Sequence, residues 1–149
     1  MRRIFFLLAL IGTSAFAEPL GTLTVVVQGL RSQQGEVALA LYADEGSYRE
    51  REGEFRAGRI PADSSEIRWE LPELDYAEYA VLAFHDVNGN GELDLDDRGR
   101  PTEPVAFSGE PRRRGKPPRF RQAAFEFGER SMTLELELRH RDRADQGED

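Results

Sequence analysis

The chain has no cysteine. That excludes disulfides, thiolate-bound zinc, iron–sulfur clusters and cysteine nucleophiles. Histidine occurs only as His85 and His140, too few for a histidine-rich metal site. Beyond the first eleven residues no apolar run approaches the roughly 20 residues needed to cross a bilayer. No glycine-rich phosphate loop leads from a strand into a helix, and no nucleophile-elbow motif surrounds Ser108. Basic charge is the minority sign, with 20 Lys and Arg against 28 Asp and Glu and a net charge of −8. Such a chain suits divalent cations or basic partners better than nucleic acid or anionic lipid.

The N-terminus reads as a leader. Arg2 and Arg3 precede the apolar run Ile4–Ile11, and Ala15-Phe16-Ala17 is an A-x-A cleavage site. Residues 1–17 are expected to be a cleaved signal peptide, so the mature protein is exported to periplasm or medium without membrane insertion. Its length fits one domain, 18–139. The charged tail 140–149 lacks large apolar residues and is expected to be disordered.

Between these ends the pattern is one of strands. Leu23, Val25 and Val27 alternate within 21–28, Val37, Leu39 and Leu41 within 36–42, and Ile67, Trp69 and Leu71 up to Pro72. Residues 43–65 are polar and without clear periodicity, save for a helical turn at 44–52. Glu78–His85 is apolar on both faces, which predicts a central strand covered on both sides. Val105–Phe107, Gln122–Phe127 and Met132–Arg139 complete the set. No amphipathic helix stands out. About seven short strands with turn signals between them predict an all-β fold, a single antiparallel β-sandwich, with a small barrel as the alternative.

One segment carries chemistry. His85–Asp97 reads HDVNGNGELDLDD. Asp86, Asn88, Asn90, Gly91, Asp94 and Asp97 fall on places one, three, five, six, nine and twelve of a calcium-loop template, and Glu92 at place seven would offer its carbonyl. Alternate residues turning inward around a permissive glycine give a hard cation its oxygens. Asp97 is one carbon shorter than the usual closing glutamate, and two central places hold neutral asparagine. Weak Ca²⁺ binding of the extracellular kind follows. A second reading needs no ion. Asn88-Gly89 and Asn90-Gly91 are turn dipeptides, and Asp86 and Asn88 would cap backbone N–H groups. No helices flank the loop, so it is not an EF-hand.

Other features are weaker. Arg112, Arg113, Arg114, Lys116, Arg119 and Arg121 form a basic stretch, expected to be solvated or paired with nearby acids. Trp69, Tyr76, Tyr79 and Phe84 would suit a glycan, but their alternation fits core packing. Glu103 and Asp94 form one of many carboxylate pairs in an acidic chain. No constellation supports an enzyme.

Tyr79-Ala80-Val81, then Phe84-His85-Asp86 through Asp94, then Gly99–Pro104 and Phe107-Ser108 resemble the bacterial exported proteins catalogued as domain of unknown function 2141. Gly35–Tyr42 matches that family's first strand. The resemblance implies an exported sandwich of immunoglobulin-like or transthyretin-like type. It implies no activity, substrate or catalytic residue. The arginine-rich 112–121 stretch and Asp96-Asp97-Arg98 depart from its pattern. The expectation is a noncatalytic exported module with an unidentified protein or glycan partner. Its Asp86 loop holds Ca²⁺ or serves as a metal-free turn. An exported hydrolase using His85 and Asp86 ranks last.

Overall fold

Apolar alternation builds two sheets. The structure is a computed structural model that describes residues 19–109 and 117–140. The elements in order are β1 (Leu20–Gln28), β2 (Glu36–Tyr42), α1 (Glu45–Glu50), β3 (Arg56–Pro61), β4 (Ile67–Asp75), β5 (Ala77–Asp86), β6 (Val105–Phe107), α2 (Phe120–Ala123), β7 (Phe125–Phe127) and β8 (Ser131–Glu137). One sheet runs β4-β1-β8, the other β3-β2-β5-β6, with β7 paired to the start of β5. The fold is an all-β sandwich. Most pairs are antiparallel, but β1 and β8 are parallel. The leader 1–17 and the tail beyond His140 lie outside the described residues, as do Arg112, Arg113, Arg114 and Lys116. His140 itself sits 2.7 Å from the Gly29 carbonyl through Nε2.

Leu23, Val25 and Val27 of β1 meet Val37, Leu39, Leu41, Tyr79, Val81 and Ala83 between the sheets. A second cluster lies outside the larger sheet. There α1 and α2 cover Tyr42, Ala80, Leu82 and Val105 with Tyr48, Phe120 and Ala123. β5 is therefore dry on both faces, as its sequence predicts.

The sandwich of about seven strands is borne out with eight, the additional one being β3 in the polar 43–65 segment; two details of the strand bounds need correction. β3 is an edge strand, mostly exposed, so it carries little apolar signal. Its Arg56, Arg59 and Pro61 guard that edge against further pairing. Pro72 does not end β4. Leu71 pairs with Leu23 but Leu74 with Gly21, so one extra residue bulges there, with Glu73 at φ 53°. A bulge on an edge strand tolerates proline. Gln122–Phe127 is not one strand, since α2 takes its first half. The helical turn expected at 44–52 is α1, and α2 is a second short helix. The six-residue α1 starts because the Asp44 carboxylate accepts the Gly46 and Ser47 N–H groups at 2.8 and 3.0 Å.

Candidate functional site

β5 delivers its last two residues to opposite faces. His85 pairs with Val37 on the side of the inter-sheet core, Asp86 with Glu36 on the outer side. Both side chains are fully buried. His85 Nε2 lies 2.7 Å from the Gln34 carbonyl, which only accepts, so Nε2 carries the proton. Nδ1 has no partner. His85 and Asp86 therefore do not converge.

Asp86 organises the loop that follows. Its Oδ1 accepts the N–H of Gly89 at 2.7 Å and of Asn90 at 3.2 Å, and its Oδ2 accepts that of Gly91 at 2.8 Å. Gly89 and Gly91 adopt φ of 70° and 85°, which lets the backbone wrap around one carboxylate. Arg59 closes the other side. Its Nη2 donates to the Gly91 carbonyl and its Nη1 to Glu36, each at 2.5 Å, and Nη1 stands 3.7 Å from Asp86 Oδ2. The buried charge thus has three hydrogen bonds and a nearby cation, the condition under which burial is tolerated.

The remaining template residues divide. Asn88 Oδ1 accepts the Asn90 N–H at 3.0 Å, and Asn90 Oδ1 accepts the Glu92 N–H at 2.9 Å. Both amide nitrogens donate to Asp94, from Asn88 at 2.7 Å and from Asn90 at 3.0 Å. The side chains of Asn88, Asn90 and Asp94 are therefore together. Glu92 and Asp97 are exposed. Asp96 folds back instead. It accepts the N–H groups of Arg98 and Arg100 and pairs with the Arg100 guanidinium at 2.9 Å. Among the described residues no group of three or more His, Asp or Glu side chains is placed to hold a metal ion. The donors that do gather are two carboxylates and two amides.

Three residues outside the template hold the loop to the sandwich. Glu103 accepts the Val87 N–H and the Asp94 N–H, both at 3.2 Å, and so clamps the loop at two points. Thr102 donates its N–H to the Asp94 carbonyl at 2.9 Å. Arg59 reaches across from β3. In the sequence Glu103 stands out from the other acids only through the Gly99–Pro104 resemblance, and Arg59 sits in the strand its pattern hides. The four aromatic residues weighed as a glycan platform do not share a surface. Tyr79 is in the inter-sheet core, Phe84 packs on the outer cluster, Trp69 lies over Gly58, and Tyr76 meets Phe127 edge-on.

Ser108 is a fastener between β5 and α2. It is fully buried, accepts the Val81 N–H at 2.6 Å and donates to the Ala123 carbonyl at 2.7 Å. It ties the centre of β5 to α2. Ser108→Ala leaves two buried backbone groups short of a partner and is expected to cost about 2–4 kcal/mol. Urea unfolding of the variant checks this, and a loss under about 0.5 kcal/mol would show that the groups find other partners.

The residues that carry the resemblance are thus fasteners of one sheet: Asp86, the asparagine–glycine turns, Glu103 and Ser108. The family model for an uncharacterized protein conserved in bacteria (DUF2141) matches residues 25–135. The chain belongs to that family. No curated protein and no solved structure matches it. The match begins in β1, ends in β8 and includes the whole Asp86 loop.

Proposed function

We propose that this DUF2141 chain is an exported, noncatalytic sandwich module whose Asp86 loop forms a rigid, self-closed end that meets a protein or glycan partner. The observation that carries this reading is where the polar atoms of the motif are spent. Asp86, Asn88, Asn90, Asp94 and Glu103 bond to the loop's own backbone or to each other. His85 and Ser108 bond to backbone inside the fold. His85 and Asp86 form no aligned acid–base pair, which supports the noncatalytic reading over a hydrolase. Val87 and Leu95, 40 % and 56 % exposed, offer apolar contact on the loop. Export is supported by Arg2-Arg3, the Ile4–Ile11 run and Ala15-Phe16-Ala17.

A second reading, weak Ca²⁺ binding, is favoured by one specific arrangement. Four template side chains, Asp86, Asn88, Asn90 and Asp94, already turn into the same loop. An oxygen that accepts one N–H keeps a second lone pair for a cation. The Glu92 carbonyl and water would add donors, whereas Asp97 is exposed. Binding requires the asparagine amide nitrogens to leave Asp94, which lowers affinity.

Thermal melting in chelator and in 10 mM CaCl₂ separates the two. The self-closed reading predicts the same melting temperature in both. A calcium site with Kd of about 1 mM adds about 1.4 kcal/mol and raises Tm by about 3–6 °C. A rise that disappears in Asp94→Ala would establish the second reading at the expense of the first.

A further inference from the structure

An open sheet edge presents a row of unpaired backbone N–H and C=O groups, so proteins blunt their edges. Most edges here are blunted. β3 carries Arg56, Arg59 and Pro61. β4 carries Pro72 and the bulge at Glu73. β6 and β7 are three residues long. β8 is the exception. It ends the smaller sheet, and β1 is its only paired strand among the described residues. Its register with β1 runs unbroken through all seven residues, with no proline, glycine, bulge or basic side chain.

The core is also open on this side. On β4 the inward Ile67, Leu71 and Leu74 are at most 5 % exposed, and Trp69 reaches across to Gly58 of β3. On β8 Leu136 is buried, but Met132 and Leu134 are only half-buried, although they pack against the inter-sheet core. The central strand β1 shows what a neighbour on each side does: its Leu23, Val25 and Val27 are wholly buried.

We propose that β8 pairs antiparallel with β8 of a second copy of this chain, about a two-fold axis at Leu134. The strand is complementary to itself in that register. Residues directly opposite share a face of the sheet. Leu134 then meets Leu134 of the other copy, and Met132 meets Leu136, so apolar faces apolar. On the outer face Glu135 meets the Thr133 hydroxyl and Glu137 the Ser131 hydroxyl. Each carboxylate faces a donor, and no two acids are opposed. Moving the axis to Glu135 sets that residue against itself. Moving it to Thr133 leaves Leu136 and Glu137 unpaired. Centred on Leu134, two three-stranded sheets become one of six strands. Backbone hydrogen bonds supply the affinity and side-chain alternation the register. One strand pair is a small contact, so the dimer is a weak one. The edge lies in the smaller sheet and the Asp86 loop follows β5 of the larger, so neither surface depends on the other.

The test is analytical ultracentrifugation of the protein expressed from its full sequence, from about 1 μM to about 1 mM. The mass is expected to rise from monomer to dimer across that range. Thr133 is exposed, so its replacement is expected to leave the fold intact. Thr133→Glu places two like-charge pairs across the axis and is expected to weaken dimerisation about fivefold or more. Thr133→Lys, facing Glu135, is expected to tighten it about threefold or more. Amide exchange at low and high concentration locates the contact, with protection rising in β8 and not in β3 or β4. A monomer at about 1 mM, equal dissociation constants for the two variants, or protection gained in β3 or β4 instead of β8 would each overturn the proposal.

Discussion

Gly35→Ala is expected to destabilise the protein by about 4 kcal/mol or more, near the upper end for a single substitution. Gly35 adopts φ 73°, and a methyl group there would stand 1.9 Å from the Asp86 carbonyl oxygen and 2.9 Å from the Val87 Cα. Both neighbours are backbone, so no rotamer change relieves the clash. β2 and β5 would have to part where Glu36 pairs with Asp86. The next bonds outward are the Ala62 N–H to the Gly35 carbonyl and His85 to the Gln34 carbonyl. Gly89 makes the control. Its φ is 70°, but a methyl group there meets nothing within 4 Å. Gly89→Ala therefore carries only the left-handed strain, about 1–2 kcal/mol. Urea unfolding of both variants checks the difference. Equal losses would mean that the close approach of Gly35 to Asp86 does not exist in solution.

Asp86→Ala is expected to cost about 3 kcal/mol, because three N–H groups lose a charged acceptor at once. The loss is less than the sum of three bonds, since the loop is at the surface and water reaches the freed groups. Asp86→Asn fares little better, because its amide nitrogen would face either the Gly89 or the Gly91 N–H. Arg59 would also lose the carboxylate 3.7 Å away. Denaturant melts give the magnitude. Amide exchange locates it, with Gly89, Asn90 and Gly91 losing protection while β1 and β2 keep theirs. A loss under about 0.5 kcal/mol would remove Asp86 from its role as organiser.

β1 and β2 were legible in the sequence because their inward apolar residues repeat every second position, as Leu23-Val25-Val27 and Val37-Leu39-Leu41. β5 was legible because it is apolar on both faces. β3 was not, because an exposed edge strand has no side to keep apolar. The parallel pairing of β8 with β1 left no local mark either. It joins the first and last strands and depends on no turn between them. Within the loop, residue type announced the backbone caps at Asp86 and Asn88, and the structure adds one at Asn90. Residue type did not say which later acid would fold back. Asp96 does so because Gly99, at φ 72°, closes a turn onto the Asp96 carbonyl at 2.8 Å, leaving Asp97 outside. Arg59 was beyond reach because its partner Gly91 lies 32 residues away. Only packing shows that Tyr48 is buried beneath the Arg51 guanidinium, 4.4 Å from its ring.

The central claim is that the loop closes on Asp86 by its own hydrogen bonds. Amide exchange of the wild-type chain in chelator tests it most directly. The account predicts that the Gly89 and Gly91 amides, bound to the Asp86 carboxylate, are already protected there and change little when CaCl₂ is added. Gly89 and Gly91 amides that exchange freely in chelator and become protected only with Ca²⁺ would contradict it.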